Sequence, residues 1–407
     1  MPSRRMFLQA LPALAGCLTL PAIGADTWCA TWGTAPAGPP PSASLQTFGN
    51  QTLRLIVHTS IPGNRVRVRL SNEMGSAPLR IGAAHIGLRA SGANLVAGSG
   101  RDLTFGGSPA ATVAPGDPLL SDPVDFAVPA LADLAISLWL PGSTQATSIH
   151  DLALQTNYVS VAGNYANANA LPVQRTLGSW PFLAEVDVTG GAATPSAIVA
   201  LGDSLTDGVR STSNANRRWT DVLARRLRTE ATPGSPPVAV VNRGISANSL
   251  LTDYPTALLS GRDALERFDR DVLATAGARW LFVLIGINDI LYSPASSPIP
   301  AESLQAGWLQ MIARARTRGM QVIGATLLPY EGHPYFTTAR DAVRQRANTW
   351  IRTSGAWDAV ADFDAVLRDP ARPARLLPAF DGGDHLHPND AGYEAMAKSI
   401  PLGWFGV

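Results

Sequence analysis

The residues best suited to chemistry lie in four short blocks of the second half of the chain. These are Gly202-Asp203-Ser204-Leu205, Asn242-Arg243-Gly244-Ile245, Gly286-Ile287-Asn288-Asp289 and Asp384-His385-Leu386-His387-Pro388. They supply a serine hydroxyl, sources of hydrogen-bond donors and acid–histidine pairs, which are the parts of an acyl-transfer site. A serine hydroxyl is a poor nucleophile until a base takes its proton. His387 is the leading candidate for that base, because Asp384 precedes it closely enough for one turn of chain to set a carboxylate against the imidazole. His385, preceded by Asp381, is the competitor, and spacing alone does not separate the two pairs. Asp203 is read as a turn former that bonds backbone amides, not as a base.

These residues need a scaffold that delivers them to one place. Ser204 directly follows an apolar run, Ala197 to Leu201, that reads as a buried strand, and Gly202 permits a tight turn out of it. Beyond it, strands are expected at Val238 to Val241, Trp280 to Ile285, Gln321 to Leu327 and Val360 to Phe363. Helices are expected at Arg217 to Arg228, Glu302 to Arg318, Ala339 to Arg352 and Asp390 to Ser399. Strand–helix alternation with apolar strands predicts a doubly wound parallel sheet, an α/β fold whose sites form at the carboxyl ends of strands. Ser204, Gly244, Asn288 and His387 all follow a predicted strand or precede a helix.

The chain before residue 190 has another character. Leu53 to Val57, Arg65 to Leu70 and Leu134 to Leu140 alternate with period two, and Arg65, Arg67 and Arg69 fall on one face. Gly63-Asn64 is a turn signal, and Pro141-Gly142 is expected to end the third strand. An all-β sandwich or jelly roll is predicted for 26–190, followed by a Gly/Thr/Pro linker and the α/β domain over 191–407. Trp139 and Trp180 in the first domain are expected to fill its core, with sugar binding as the alternative.

The first 25 residues read as a signal peptide. Arg4-Arg5-Met6-Phe7-Leu8 precedes an apolar stretch reaching Ile23, similar to a bacterial twin-arginine (Tat) signal, with cleavage expected near Gly24 or Ala25. Leu14-Ala15-Gly16-Cys17 resembles a lipoprotein box, but the apolar run continues past Cys17, which favours soluble export to the periplasm or beyond. After the signal no apolar run approaches the roughly 20 residues that span a bilayer. Only Cys29 of the two cysteines then remains, so no internal disulfide is expected.

The 407 residues are 46% hydrophobic, enough for sizeable cores, and the formal charge of +1 gives no sign of nucleic-acid binding. The six histidines lack metal-ligand spacing, and no phosphate-binding glycine motif sits in a strand–helix context. Neither a metal nor another cofactor is expected. Asn214, Arg217, Arg218 and Trp219 are weaker candidates, the arginines being read as a solvated helix face. His333, beside Pro334 and Tyr335, is read as a possible pocket-lining residue. The oligomeric state is left open.

The four blocks, in this order, resemble those of the GDSL or SGNH hydrolases, named for Ser, Gly, Asn and His in successive blocks. Trp28-Cys29-Ala30-Thr31-Trp32-Gly33-Thr34-Ala35-Pro36 and Phe380 to Tyr393 resemble bacterial two-domain GDSL esterases with an N-terminal β-domain. The resemblance implies a flavodoxin-like hydrolase domain and a triad of Ser204, Asp384 and His387. It also implies an oxyanion hole of the Ser204 amide, the Gly244 amide and the Asn288 side chain. The implied activity is a serine esterase acting on a small-molecule or carbohydrate acyl ester. A lipase or phospholipid acylhydrolase, and a carbohydrate-binding protein with a spent site, are the alternatives.

Overall fold

The computed structural model of the chain describes residues 26–191, 193–253 and 259–407. The expected signal peptide, 1–25, lies outside the described residues.

The N-terminal part is built around two large antiparallel sheets. One runs in the order Cys29–Gly33, Leu183–Thr189, Gly63–Ser71, Val124–Val128. The other is centred on Thr47–His58, which pairs with Asp133–Gln145 on one side and Asn157–Ala162 on the other. Period-two alternation sends Val66, Val68, Leu70 and Val186 from the first sheet, and Leu53, Leu55, Val57, Ile136 and Leu138 from the second, into one core. Arg65, Arg67 and Arg69 do share the other face, but they are paired there, with Asp26, Asp187 and Glu73 respectively.

Two turn signals act differently from expectation. Pro141-Gly142 does not end its strand. The pairing with Thr47–His58 continues to Gln145 across a register shift between Leu140 and Ser143. A bulge tolerates a residue without an N–H, so the strand bends there instead of stopping. Gly63 is the first residue of its strand, not part of the turn.

The C-terminal part is a five-stranded parallel sheet. Its strands are β1 (Ser196–Gly202), β2 (Val238–Gly244), β3 (Ala278–Leu284), β4 (Gln321–Ala325) and β5 (Ala359–Ala361). Their spatial order is β2-β1-β3-β4-β5. This is the flavodoxin-like order, in which the connection reverses direction between β1 and β3. The crevice outside the carboxyl ends of these two strands is therefore where a site is favoured. The helices are α1 (Ser204–Asp207), α2 (Trp219–Thr229), α3 (Ile287–Tyr292), α4 (Ala301–Arg316), α5 (Thr338–Thr353), α6 (Phe363–Leu367) and α7 (Asp390–Lys398).

The two parts share buried surface. Edge strand β2 turns Val238 and Val240 into the hydrolase core, while Ala239 and Val241 belong to the core of the β-rich part. Arg243, fully buried on the same strand, forms an ion pair with buried Glu185 of Leu183–Thr189 and donates to the carbonyls of Thr34 and Ala184.

Candidate active site

Ser204 is the first residue of α1, immediately after β1. The turn depends on Gly202. A Cβ there would collide with Thr206 Oγ1 and lie 2.6 Å from the Leu284 carbonyl oxygen, so only glycine allows α1 to fold back over the strand end. Asp203 caps the helix, its Oδ1 accepting from the Leu205 N–H at 3.0 Å, as expected of a turn former. Burial pushes the Asp203 carboxyl up to about 7, against the Leu205 hydrogen bond, and Oδ2 has no partner among the described residues.

His387 Nε2 lies 2.8 Å from Ser204 Oγ, and His387 Nδ1 lies 2.9 Å from Asp384 Oδ2. The carboxylate accepts the Nδ1 proton, which leaves the Nε2 lone pair to accept from the serine hydroxyl. The other oxygen, Asp384 Oδ1, accepts from the backbone N–H groups of Leu386 (3.1 Å) and His387 (2.9 Å), so one short turn holds acid and base together. Arg210 Nε adds a bond of 2.9 Å to Asp384 Oδ2. Burial works against ionisation of Asp384, but the bonds from His387 and Arg210 prevail and hold it well below the usual carboxylate range.

The competing pair is also formed. His385 Nδ1 lies 2.6 Å from Asp381 Oδ2. Its backbone, however, is left-handed at φ 65°, and its ring packs against Gly332, with 48% of the side chain exposed. Of the two histidines, His387 is the one bonded to Ser204. His333 lies close to the triad: burial lowers its pKa, and the charges of His387 and His385 lower it further against Asp384. Tyr335, exposed, stands beside the His333 ring at 5.6 Å between centroids.

Asn288, at the start of α3 after β3, is buried and donates one Nδ2 hydrogen to the Asn248 carbonyl at 2.8 Å, which leaves the second hydrogen for a ligand. Gly244 departs from expectation. Its amide donates to Asn242 Oδ1 at 2.8 Å, so it is not a free oxyanion donor. A Cβ on Gly244 would press on the backbone of Thr206 and Asp207, with the Thr206 carbonyl carbon at 2.8 Å. This glycine is required for the close approach of β2 and α1.

The turn after Gly244 is tied to the helix of Ser204. Asp207 Oδ2, on the helix of Ser204, accepts from Ser246 N–H (2.9 Å) and Oγ–H (2.7 Å). Asp289 accepts from Leu250 and Leu251 at 2.8 and 3.0 Å. Ala247 lies between Ser246, tied to α1, and Asn248, tied to Asn288. It is buried, has φ 61°, and its N–H has no partner among the described residues. Left-handed backbone at an alanine is strained and has to be enforced by its surroundings. Because the residue is an alanine and not a glycine, nothing in the sequence flags that conformation.

Other candidates resolve into structural roles. Arg218 is buried instead of solvated: it donates to the Asp207 carbonyl at 2.7 Å, to the Ala153 carbonyl, and to Asp221 in the cap of α2. Arg217 is exposed, and Asn214 Oδ1 accepts from Gln155 and Thr156 in the β-rich part. Trp180 is buried, its Nε1 donating to the Ile56 carbonyl at 2.9 Å. Trp139 is half-buried and donates to Asn50 Oδ1.

The family comparison falls on the parallel-sheet part. The sequence model of the GDSL-like Lipase/Acylhydrolase family matches residues 200–395. No curated protein matches the chain. Among solved structures, an acetylxylan esterase from Geobacillus stearothermophilus is 21% identical, covering 52% of this chain and 94% of that one, with a TM-score of 0.38. An aryl esterase from M. smegmatis is 19% identical, covering 50% and 94%, with a TM-score of 0.37. A G-D-S-L lipolytic protein from Veillonella parvula is 18% identical, covering 50% and 95%, with a TM-score of 0.35. Residues 200–395 therefore match a GDSL-like lipase/acylhydrolase domain, and the protein is a carboxylic ester hydrolase.

Proposed function

We propose that the protein is an exported serine esterase that removes short acyl groups, acetyl groups of carbohydrate among them, through an acyl-enzyme on Ser204. One observation carries the reading: Ser204 Oγ, His387 and Asp384 form a continuous hydrogen-bonded chain with spacings of 2.8 and 2.9 Å. His387 Nε2 takes the hydroxyl proton as Ser204 Oγ adds to the acyl carbonyl carbon. The imidazolium then gives that proton to the departing alcohol as the tetrahedral intermediate collapses. In the second half His387 takes a proton from water, the resulting hydroxide oxygen attacks the acyl-enzyme, and Ser204 leaves with its proton restored.

The oxyanion is assigned to three donors: the Ser204 N–H at the start of α1, the second Nδ2 hydrogen of Asn288, and the Ala247 N–H in place of Gly244. Each such donor is worth on the order of 3 kcal/mol in the transition state. Short and polar substrates are favoured because Arg210 is bonded to Asp384 and His333 lies within electrostatic reach of His387 and Asp384, and a long acyl chain would gain little by lying on such polar groups. Export rests on the twin-arginine segment at Arg4-Arg5. No helix among the described residues is long and apolar enough to cross a membrane.

A chain-length series of p-nitrophenyl esters on the purified protein tests the reading, with Ser204→Ala alongside. Acetate and butyrate are expected to be cleaved faster than decanoate, and Ser204→Ala to lose activity by about 10³-fold or more. A Ser204→Ala protein that keeps near-normal turnover removes Ser204 as nucleophile. A preference for long chains replaces the esterase by a lipase.

A further inference from the structure

The β-rich part reaches α1 through His150. Its ring is buried and lies against Trp180, with 5.6 Å between centroids and the planes tilted by 34°. Nδ1 lies 3.0 Å from the Ala35 carbonyl oxygen, and Nε2 lies 3.0 Å from Asp207 Oδ1 and 3.2 Å from the Leu152 carbonyl oxygen. Carbonyl oxygens only accept, so a proton is required on each ring nitrogen, and the ring is an imidazolium facing a buried carboxylate. Asp207 spends its other oxygen on Ser246, beside Ala247. One unbroken chain of bonds therefore runs from the β-rich part to the turn that carries the third oxyanion donor.

We infer that His150 is a positioning residue for the reaction: as an imidazolium it fixes Asp207, and through Asp207 it fixes α1 and the Ser246-Ala247 turn. The inference rests on the assignment of Ser204 and Ala247 made above. On this account the β-rich part completes the active site without touching substrate. A buried, charge-assisted bond suits the task, since misplacing an oxyanion donor by about 1 Å can lower the rate about 100-fold. The groups facing the ring are few. Asp207 comes from α1 and Arg218 from the residue before α2. A cavity of about 40 Å³ beside it is lined also by His58, Asp221 and Trp32. Burial by itself lowers the His150 pKa, but the charge and hydrogen bond of Asp207, with the Ala35 carbonyl, raise it overall, and Arg218 opposes them. A raised pKa means the strut is whole below the ordinary histidine value, about 6.5, and is lost as pH rises through the folded value.

The test is steady-state hydrolysis of p-nitrophenyl acetate by the full chain, in a pH series, for the wild type, His150→Leu, His150→Gln and Ser204→Ala. His150→Leu is expected to lower kcat about 10- to 100-fold with KM changed less than about twofold. His150→Gln keeps a neutral N–H donor for Asp207, so it should recover much of kcat and lack the alkaline decline of the wild type. A folded His150→Leu protein with wild-type kcat overturns the inference. So does a wild-type profile without an alkaline decline up to pH 10, or a His150→Gln profile with the same decline as the wild type. The last two outcomes decide the matter even if His150→Leu does not fold. If Ser204→Ala is inert while His150→Leu is unaffected, only this inference falls. If Ser204→Ala is active, the functional assignment itself falls.

Discussion

Arg210 and His387 share one oxygen atom: Arg210 Nε and His387 Nδ1 each lie 2.9 Å from Asp384 Oδ2. The guanidinium therefore draws on the same carboxylate charge that would stabilise an imidazolium at His387. Arg210 holds this place from a left-handed backbone at φ 74°, with 53% of its side chain exposed. Arg210→Met should leave Asp384 ionised, because the His387 bonds remain, and should lower kcat less than about tenfold. With the whole carboxylate charge then acting on His387, the acid limb of the kcat/KM profile should move to higher pH. A limb that moves down, or a loss as deep as that of Ser204→Ala, contradicts the shared-oxygen account.

The two Asp–His pairs make unequal claims. His387→Ala should be nearly as damaging as Ser204→Ala, since members of a triad act as a unit. His385→Ala removes a half-exposed ring bonded to Asp381 and should lower kcat on p-nitrophenyl acetate less than about tenfold. The reverse ranking would transfer the base to His385.

Asp203 should make stability depend on pH. Its carboxyl titrates near 7 in the fold against about 3.9 unfolded, so the native state binds more protons between these values. Its contribution is fully present below about pH 4 and is lost as pH rises through 7. Asp203→Asn keeps an oxygen for the Leu205 N–H and cannot ionise. It should flatten the fall in Tm between pH 5 and 8, an effect on the order of 4 kcal/mol at most. Parallel Tm–pH curves for the two proteins would rule out ionisation of Asp203 as the source.

A chain begun near residue 190 should aggregate and not act as a free-standing esterase. It would bare Ala239 and Val241 on β2 and leave the buried guanidinium of Arg243 without Glu185. Stranding one partner of a buried ion pair costs about 3–5 kcal/mol. Size-exclusion chromatography of the shortened chain is the check. A monodisperse, folded product would mean that β2 needs no cover from the β-rich part.

The sequence by itself determined the scaffold and most of the chemistry. Apolar runs at Ala197 to Leu201 and Trp280 to Ile285 read as buried strands, and alternating runs such as Arg65 to Leu70 as half-buried ones, because backbone periodicity is local. The order of the blocks then put Ser204, Asn288 and His387 at strand ends. Tertiary structure decided what depends on contacts distant along the chain. Spacing could not choose between His385 and His387. The left-handed backbone at His385 and the 2.8 Å approach of His387 to Ser204 separate them. The resemblance implied Gly244 as a donor, yet its amide is taken by Asn242 and it serves close packing on α1, while the Ala247 amide has no partner among the described residues. The links Arg210–Asp384, His150–Asp207 and Arg243–Glu185 join residues 174, 57 and 58 positions apart. No local propensity encodes such pairs, since they exist only once two sheets and the crevice between β1 and β3 have formed.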